Sequence, residues 1–567
     1  MDLTCLHPAS ILVALIFYAI FRVAIRIFRL RYSPLRNLPG PPRNSWFTGN
    51  LSQLFNAKGL AFHQHLVDVY GGMVKVYGFF GKRQQYISDP QALQSILIKE
   101  QDAFEETAVF VETNRVIFGP GLVSTTGEIH KRQRKMVNPI FSPSNLRNLV
   151  STFYEVAERL NNVLSRECME NEERTVIDIS QWMSRAALEA AGQAILGYSF
   201  DPLDSPVNNP YTRAIRELIP TMFSLSLVRQ FAPFLVRLGP PGWRRRMVEW
   251  TPNKAVQKVK MMSDVMHHTA MDILEHARAG LQQRDGRYAK DIISLLLKAN
   301  ERVSETEQLS ETELTGQMTV MIFGAQDTAS STLSRILYML SINPDVQERV
   351  RGELHAAGAL ERRLSLEEVS AFPWLDAALK ETLRLYPPVP FVRRVALEDC
   401  SIPYITKEGS QSSVIIPRNT TLFVGISGAN RLETVWGPDA KEWKPKRWLN
   451  GGAHQKSEPS SRLPGIYSGM MSFLAGGRSC IGYKFAEMEI KIILTVFLSR
   501  FRIFPTQDEI VWNLSQIISP SVRVVARDGS VTEEKGLPVY LEEIKARNGE
   551  KQRESRGQDR RERVDIT

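Results

Sequence analysis

Cysteine is scarce in this chain: Cys5, Cys168, Cys400 and Cys480 are spread over 567 residues. Cysteines so few and so far apart exclude a disulfide framework and fit a reducing compartment. Clustered metal ligands are missing as well. No second cysteine or histidine lies near Cys480, so a four-ligand zinc site is excluded there. His63-x-His65 and His267-His268 lack the i,i+4 spacing of ligands on one helix face and read as surface or core histidines. A large excess of one charge is also absent. The 71 basic and 61 acidic residues leave +10, which suits an anionic membrane surface or an acidic redox partner better than nucleic acid. The chain has no nucleic-acid motif, no repeat of solenoid period, and no flavin or nicotinamide fingerprint. No Gly-Lys-Ser/Thr follows the glycines at 476–482, which excludes a phosphate-cradling loop. With 43% hydrophobic residues, what remains is enough for two ordinary domains or one large enzyme fold.

One cysteine stands in an unusual setting. The stretch Phe473-Leu-Ala-Gly476-Gly-Arg478-Ser-Cys480-Ile-Gly482 precedes an amphipathic run from Tyr483 to about Ser499. Flanking glycines let the backbone turn tightly and aim its N–H groups at the sulfur. The helix predicted to follow adds the positive end of its dipole. Both effects favour the thiolate, the form that ligates metals. One thiolate suffices as axial ligand of haem iron, because the porphyrin fills the plane. A buried free cysteine is the competing reading of these residues. The spacing of Phe473, Gly476, Arg478, Cys480 and Gly482 resembles the haem-binding signature of the cytochromes P-450.

At the other end, Ala9 to Phe21 is almost entirely apolar, and Arg22, Arg26, Arg29 and Arg31 then interleave with apolar residues. A spanning helix wants about 20 apolar residues. This run is long enough only if Arg22 and Arg26 snorkel to the interface. Charges that follow the apolar run argue against a cleaved signal peptide, and the positive-inside rule places the body of the protein in the cytosol. The expected organisation is an anchor over 1–31, a stiff proline hinge over 32–43, a catalytic domain over 44–544 and a charged, disordered tail over 545–567.

Between these ends lie the partner motifs. Residues 104–120 have no clear period and read as a loop; in the family this region covers the substrate. His130 and Arg134, four apart, share a helix face. The family carries a tryptophan and an arginine there that bind a haem propionate, so His130 is a departure and Arg134 a match. Lys131, Arg132 and Lys135 read as a solvated or reductase-docking face. Apolar residues beside Arg244-Arg245-Arg246 suit either lipid headgroups or an ordinary connector.

Ser310-x-x-Glu313 forms a capping box for a helix ending at Asn343-Pro344, about 50 Å long at 1.5 Å per residue. In its middle, Thr328 is spaced to bond the Gly324 carbonyl, opening the helical ladder to water. Asp327 and Thr328 offer an acid and a hydroxyl for proton delivery. Taken alone, these residues fit a helix that merely tolerates polar side chains. The stretch resembles the family's oxygen-activation motif, with Ala325 and Ala329 as departures. Glu381 and Arg384, with Arg447 downstream, resemble the family's buried ion-pair network, and Arg394 is the expected second propionate partner. Ala429 to Asp439 looks especially like fungal members.

The resemblance implies a mainly α fold with a small β portion, one large domain behind an N-terminal membrane anchor. It implies haem b on Cys480, with dioxygen and NADPH as co-substrates. NADPH-cytochrome P-450 reductase, with or without cytochrome b5, is the implied partner. A lipophilic small molecule, such as a terpenoid of fungal secondary metabolism, is the expected substrate, and the endoplasmic reticulum membrane the expected location. Rival readings are an oxygen-independent isomerase or dehydratase of the same family and a non-catalytic haem-binding sensor. The former often lose the acid–alcohol pair, which is kept here.

Overall fold

The computed structural model describes residues 31–170, 175–204, 209–282, 291–451, 462–525 and 529–544, with isolated positions between 13 and 25. The expected anchor falls mostly outside these residues, and the expected tail wholly so. Among the described residues, no single helix is long and apolar enough to cross a membrane.

Helices dominate. Those that frame the site are α1 (Ala108–Phe118), α2 (Gly127–Val137), α3 (Val150–Glu170), α4 (Ile179–Ala191), α5 (Pro210–Ser224), α6 (Lys254–Gln282), α7 (Glu311–Ser341), α8 (Pro373–Leu385) and α9 (Tyr483–Arg500). Ser310 and Glu313 form the expected capping box at the start of α7, which runs for 31 residues. Both faces of α7 are buried towards its two ends, and it packs against α4, α6, α8 and α9. In α9, every residue from Met488 to Ser499 is buried, the pattern of a helix at the centre of a core.

The strands are β1 (Met73–Tyr77), β2 (Arg83–Ile87), β3 (Phe104–Glu105), β4 (Thr175–Asp178), β5 (Phe391–Ala396), β6 (Cys400–Ile405), β7 (Gln411–Ile416), β8 (Thr421–Gly425), β9 (Phe501–Pro505), β10 (Ile510–Ser515), β11 (Ile517–Val525), β12 (Val531–Lys535) and β13 (Pro538–Glu543). The main sheet has the order β1-β2-β8-β5-β3. Its β2–β8 pair is parallel and the others antiparallel. A second sheet, β4-β13-β9, joins the middle of the chain to its far end, with Tyr540 opposite Val176 and Phe504. In the third, β10-β11-β12, the turn between β10 and β11 leads the chain against α7, where the Ser331 hydroxyl donates to the Ile518 carbonyl at 2.6 Å.

Two expectations are corrected. Residues 104–120 are not a loop: they form β3 and then α1, whose N-cap Thr107 accepts from the Phe110 N–H. The helix ends where Gly119 adopts φ +85°, and the chain then lies directly on α7. A Cβ on Gly121 would sit 2.5 Å from the Gly316 oxygen, so this crossing requires glycine on both sides. Arg132 is not part of a solvated face. It pairs with Glu313 and donates to the Gln308 carbonyl at 3.0 Å. Gln133 donates to the same carboxylate at 3.0 Å and accepts from Gln317 at 3.0 Å. Helix α2 is thereby fastened to the start of α7 by polar contacts that a solvated helix face would lack.

Candidate active site

The cysteine loop is shaped by two left-handed residues, Leu474 at φ 59° and Gly476 at φ 68°. A side chain at 476 would overlap the Leu97 carbonyl oxygen, which accounts for the glycine. The loop closes with the Cys480 N–H donating to the Phe473 carbonyl at 2.9 Å, and α9 begins directly after Gly482. Phe473 packs between Tyr467 and Tyr483, with ring centroids 5.3 and 6.1 Å away. A Cβ on Gly482 would meet only Phe141, at 3.8 Å. Cys480 faces accessible space, yet protein surrounds it deeply enough that burial pushes its thiol above the ordinary value. The Gly482 N–H and the nearby Arg134 charge pull the other way without overcoming burial. The backbone N–H and the helix start expected to favour a thiolate are therefore both in place, and burial outweighs the N–H. A metal bonded to such a sulfur deprotonates it outright.

Beside the loop, His130, Arg134, Arg394 and Arg478 line one cavity of about 530 Å³. Their convergence follows from the elements described: α2 brings the first two, β5 the third and the cysteine loop the fourth. Along β5, side chains alternate between faces. Arg394 turns into the cavity, whereas Arg393 donates to Gln230 at 2.9 Å and lies over the Phe55 ring. Arg394 is 2% exposed, and its Nη2 is a buried donor without a hydrogen-bond partner among the described residues. Burial first, then the Arg478 and Arg134 charges, push His130 down to about 4, so it is a neutral imidazole at physiological pH. Arg134 donates to Ser479 Oγ at 3.2 Å, one residue from the cysteine.

The middle of α7 presents a different surface. Gly324 is exposed, with no atom within 4 Å of where a Cβ would be, although the helix is buried on either side of it. Such an open patch inside a core helix fits the approach of a flat ligand. The Thr328 hydroxyl donates to the Gly324 carbonyl at 2.7 Å, and the helix continues unbroken through this turn. Asp327 opens elsewhere. It lines a cavity of about 330 Å³ with Asp178, Arg216, Lys535 and several serines, and Thr328 is not among the lining residues. Burial pushes the Asp327 carboxyl up to about 7 against the opposing pull of Lys535, Gln326 and Arg216. Ala329 is buried and Ala325 half-buried against the core.

The third group lies behind the cysteine loop. Arg384 is fully buried and bidentate to Glu381, with both bonds at 2.9 Å. It also donates to the carbonyls of Asn430 and Ala440 at 2.8 and 2.7 Å. Arg447 reaches Glu381 at 3.4 Å and Asp439 at 2.8 Å, and the Trp448 indole donates to Glu381 at 2.9 Å. The Asn430 side chain carries this order forward, accepting from the Met471 N–H at 2.7 Å and donating to Ser472 Oγ at 2.9 Å. A buried ion network thus fixes the residues immediately before Phe473.

Sequence reasoning missed Arg216, Lys535, Glu105 and Glu106. Each enters the site from an element distant in the chain, and no local motif marks it.

These residues fit an iron porphyrin. A lone accessible cysteine, an open glycine on the long helix, and three guanidiniums with a free buried donor match an axial ligand, a flat face and two carboxylates. A family profile described as cytochrome P450 matches residues 39–523. Cytochrome P450 monooxygenase 212 of Postia placenta is 40% identical over 504 residues, covering 87% of this chain and 92% of the relative. The ganoderic acid synthetase CYP5150L8 of Ganoderma lucidum is 35% identical, covering 90% and 94%. Cytochrome P450 monooxygenase eriI of Hericium erinaceus is 33% identical, covering 88% and 93%.

Proposed function

The chain belongs to the cytochrome P450 family and is a haem-thiolate monooxygenase, and from that premise we propose that it oxidises a lipophilic small molecule of fungal secondary metabolism. In this reading it works on a membrane with haem b, and a separate reductase, with cytochrome b5 as a second donor where present, passes it electrons from NADPH. Haem, when bound, supplies the iron at which dioxygen is split, one oxygen atom entering the substrate and the other leaving as water. The chain's own residues do the rest. Cys480 would hold the iron through its sulfur, and Arg134, Arg394 and Arg478, which line one cavity, would hold the haem carboxylates by charge-assisted hydrogen bonds. His130, neutral and lining the same cavity, serves as a hydrogen-bond partner and not as a charge. Asp327, pushed up to about 7, can take up and release a proton in the serine-lined cavity, while the Thr328 hydroxyl stands on the Gly324 side of the helix.

The observation that carries this reading is the accessible Cys480 beside three guanidiniums that face one cavity. A lipophilic substrate is supported by the Phe118 and Phe323 rings, 4.7 Å apart, where α1 crosses α7 near Gly324. Kinship with a protein named ganoderic acid synthetase supports secondary metabolism, with terpenoids the first class to try. Membrane contact is supported by an exposed aromatic patch. Trp46 lies 6.1 Å from Phe80, and the adjoining Phe79 lies 5.5 Å from Phe231, with exposed Phe234 and Trp243 on the segment that carries Arg244 to Arg246. An orientation with the catalytic domain in the cytosol, as on the endoplasmic reticulum, is supported by the order of apolar run and arginines at 9–31.

The test is the carbon-monoxide spectrum of the reduced full chain, followed by turnover with NADPH, reductase and dioxygen. A thiolate-type spectrum and oxygen-dependent product are expected, and both should be lost in Cys480→Ser. A normal spectrum and turnover in that variant would overturn the reading. Product formed without oxygen would favour an isomerase or dehydratase, and a spectrum without any turnover would favour a sensor. Flotation with anionic vesicles tests the membrane, and metabolite profiling after gene deletion tests the substrate class.

A further inference from the structure

Two carboxylates contact the arginines of the 530 Å³ cavity, Glu105 from among its lining residues and Glu106 from outside them. The end of β3 delivers both. Glu105 accepts from Arg478 Nη2 at 2.6 Å, and Glu106 forms an ion pair with Arg394 Nη1 at 2.7 Å, the nitrogen that also donates to the Arg393 carbonyl. Glu105 is further fixed by the N–H groups of Glu106 and Gly127, at 2.8 and 3.1 Å, so it is tied to the first turn of α2. In each pair the carboxylate takes one edge of the guanidinium fork. The opposite edge is left for something else: Arg394 Nη2 is buried and unpartnered, and Arg478 makes its only protein hydrogen bonds among the described residues through Nη2. A buried guanidinium with no partner behind it would be costly and free to fold away from the cavity. A carboxylate at its back lowers that cost and fixes the direction of the fork.

We propose that Glu105 and Glu106 are positioning residues that hold Arg478 and Arg394 with their free edges toward the two haem carboxylates, so setting how tightly haem is retained and how readily it is reduced. The inference rests on the haem-thiolate reading above.

The test uses the haem-loaded full chain and two measurements other than activity: haem loss to excess apomyoglobin, and the one-electron reduction potential. Glu106→Gln keeps an acceptor for Arg394 but removes the charge. It should leave haem loss within twofold of wild type and shift the reduction equilibrium toward ferrous about tenfold, about 59 mV. Glu106→Ala removes the acceptor too and should speed haem loss at least tenfold, an effect that Gln rescues. Glu105→Gln and Glu105→Ala should behave alike at Arg478. If the alanine variants fail to fold, the potentials of the two glutamine variants decide alone. A merely structural role would lower the unfolding temperature and leave the potential unmoved, and that result overturns the proposal. Should wild type take up no haem, the haem-thiolate reading falls and takes this proposal with it. Should wild type hold haem while all four variants match it, only the proposal falls.

Discussion

A single buried carboxyl on the long helix carries a measurable pH signature. Burial raises Asp327 from 3.8 to about 7, so between these values the folded chain holds a proton that the unfolded chain has released. Stability contributed by this group is therefore fully present below about pH 4 and is lost as pH rises through about 7. Asp327→Asn removes that dependence. Its unfolding temperature relative to wild type should climb between pH 4 and 7 and level off above, measured by thermal scans across pH. The same variant should turn over more slowly, because the amide cannot release the proton. At this scale Cys480, Asp327 and Thr328 were singled out by the short runs in which they sit, but spacing alone did not reveal that Asp327 lines a cavity that Thr328 does not. Arg132 was misread, since its partner Glu313 lies far along the chain on another helix.

Between elements, the site depends on a few crossings that admit no substitute. Glu381→Gln would leave Arg384 buried with no charge opposite it, and breaking such a pair typically costs about 3–5 kcal/mol. Urea unfolding should show a loss of that size, and the cysteine loop should lose order with it, because Asn430 links the two. Gly121→Ala places a methyl group 2.5 Å from the Gly316 oxygen. Helix α1 must then lift off α7, an overpacking worth about 1–3 kcal/mol, read as a lower midpoint in the same assay. The helix under this crossing was not legible as one. Residues 108–118 carry Val109, Val111, Thr113, Val116 and Ile117, which lower intrinsic helix propensity, and packing onto α7 and α6 overrides that preference. By contrast, α7 was visible from its capping box, a signal that is local in sequence.

For the whole molecule, the mainly helical fold was legible because four motifs stand in the family's order along most of the chain. The arrangement of the sheets was not. Strands as short as β3, with two residues, leave no periodic trace, and β4 is defined only by partners from the opposite end. A ligand that binds only the folded chain stabilises it by RT ln(1 + [L]/Kd), about 4.1 kcal/mol at a thousandfold excess over Kd. Haem should therefore raise the unfolding temperature in a concentration-dependent way, and Cys480→Ser should show a much smaller rise in parallel calorimetry.

The β4-β13-β9 sheet has a consequence for how the protein is made. A ribosome releases Thr175–Asp178 well before it reaches Pro538–Glu543, a wait of tens of seconds at typical elongation rates. Throughout that interval the nascent segment offers an open edge with nothing to pair with. Buried Leu537, Val539 and Leu541 close this part of the core only when their segment emerges, so the sheet is completed long after its first strand is made.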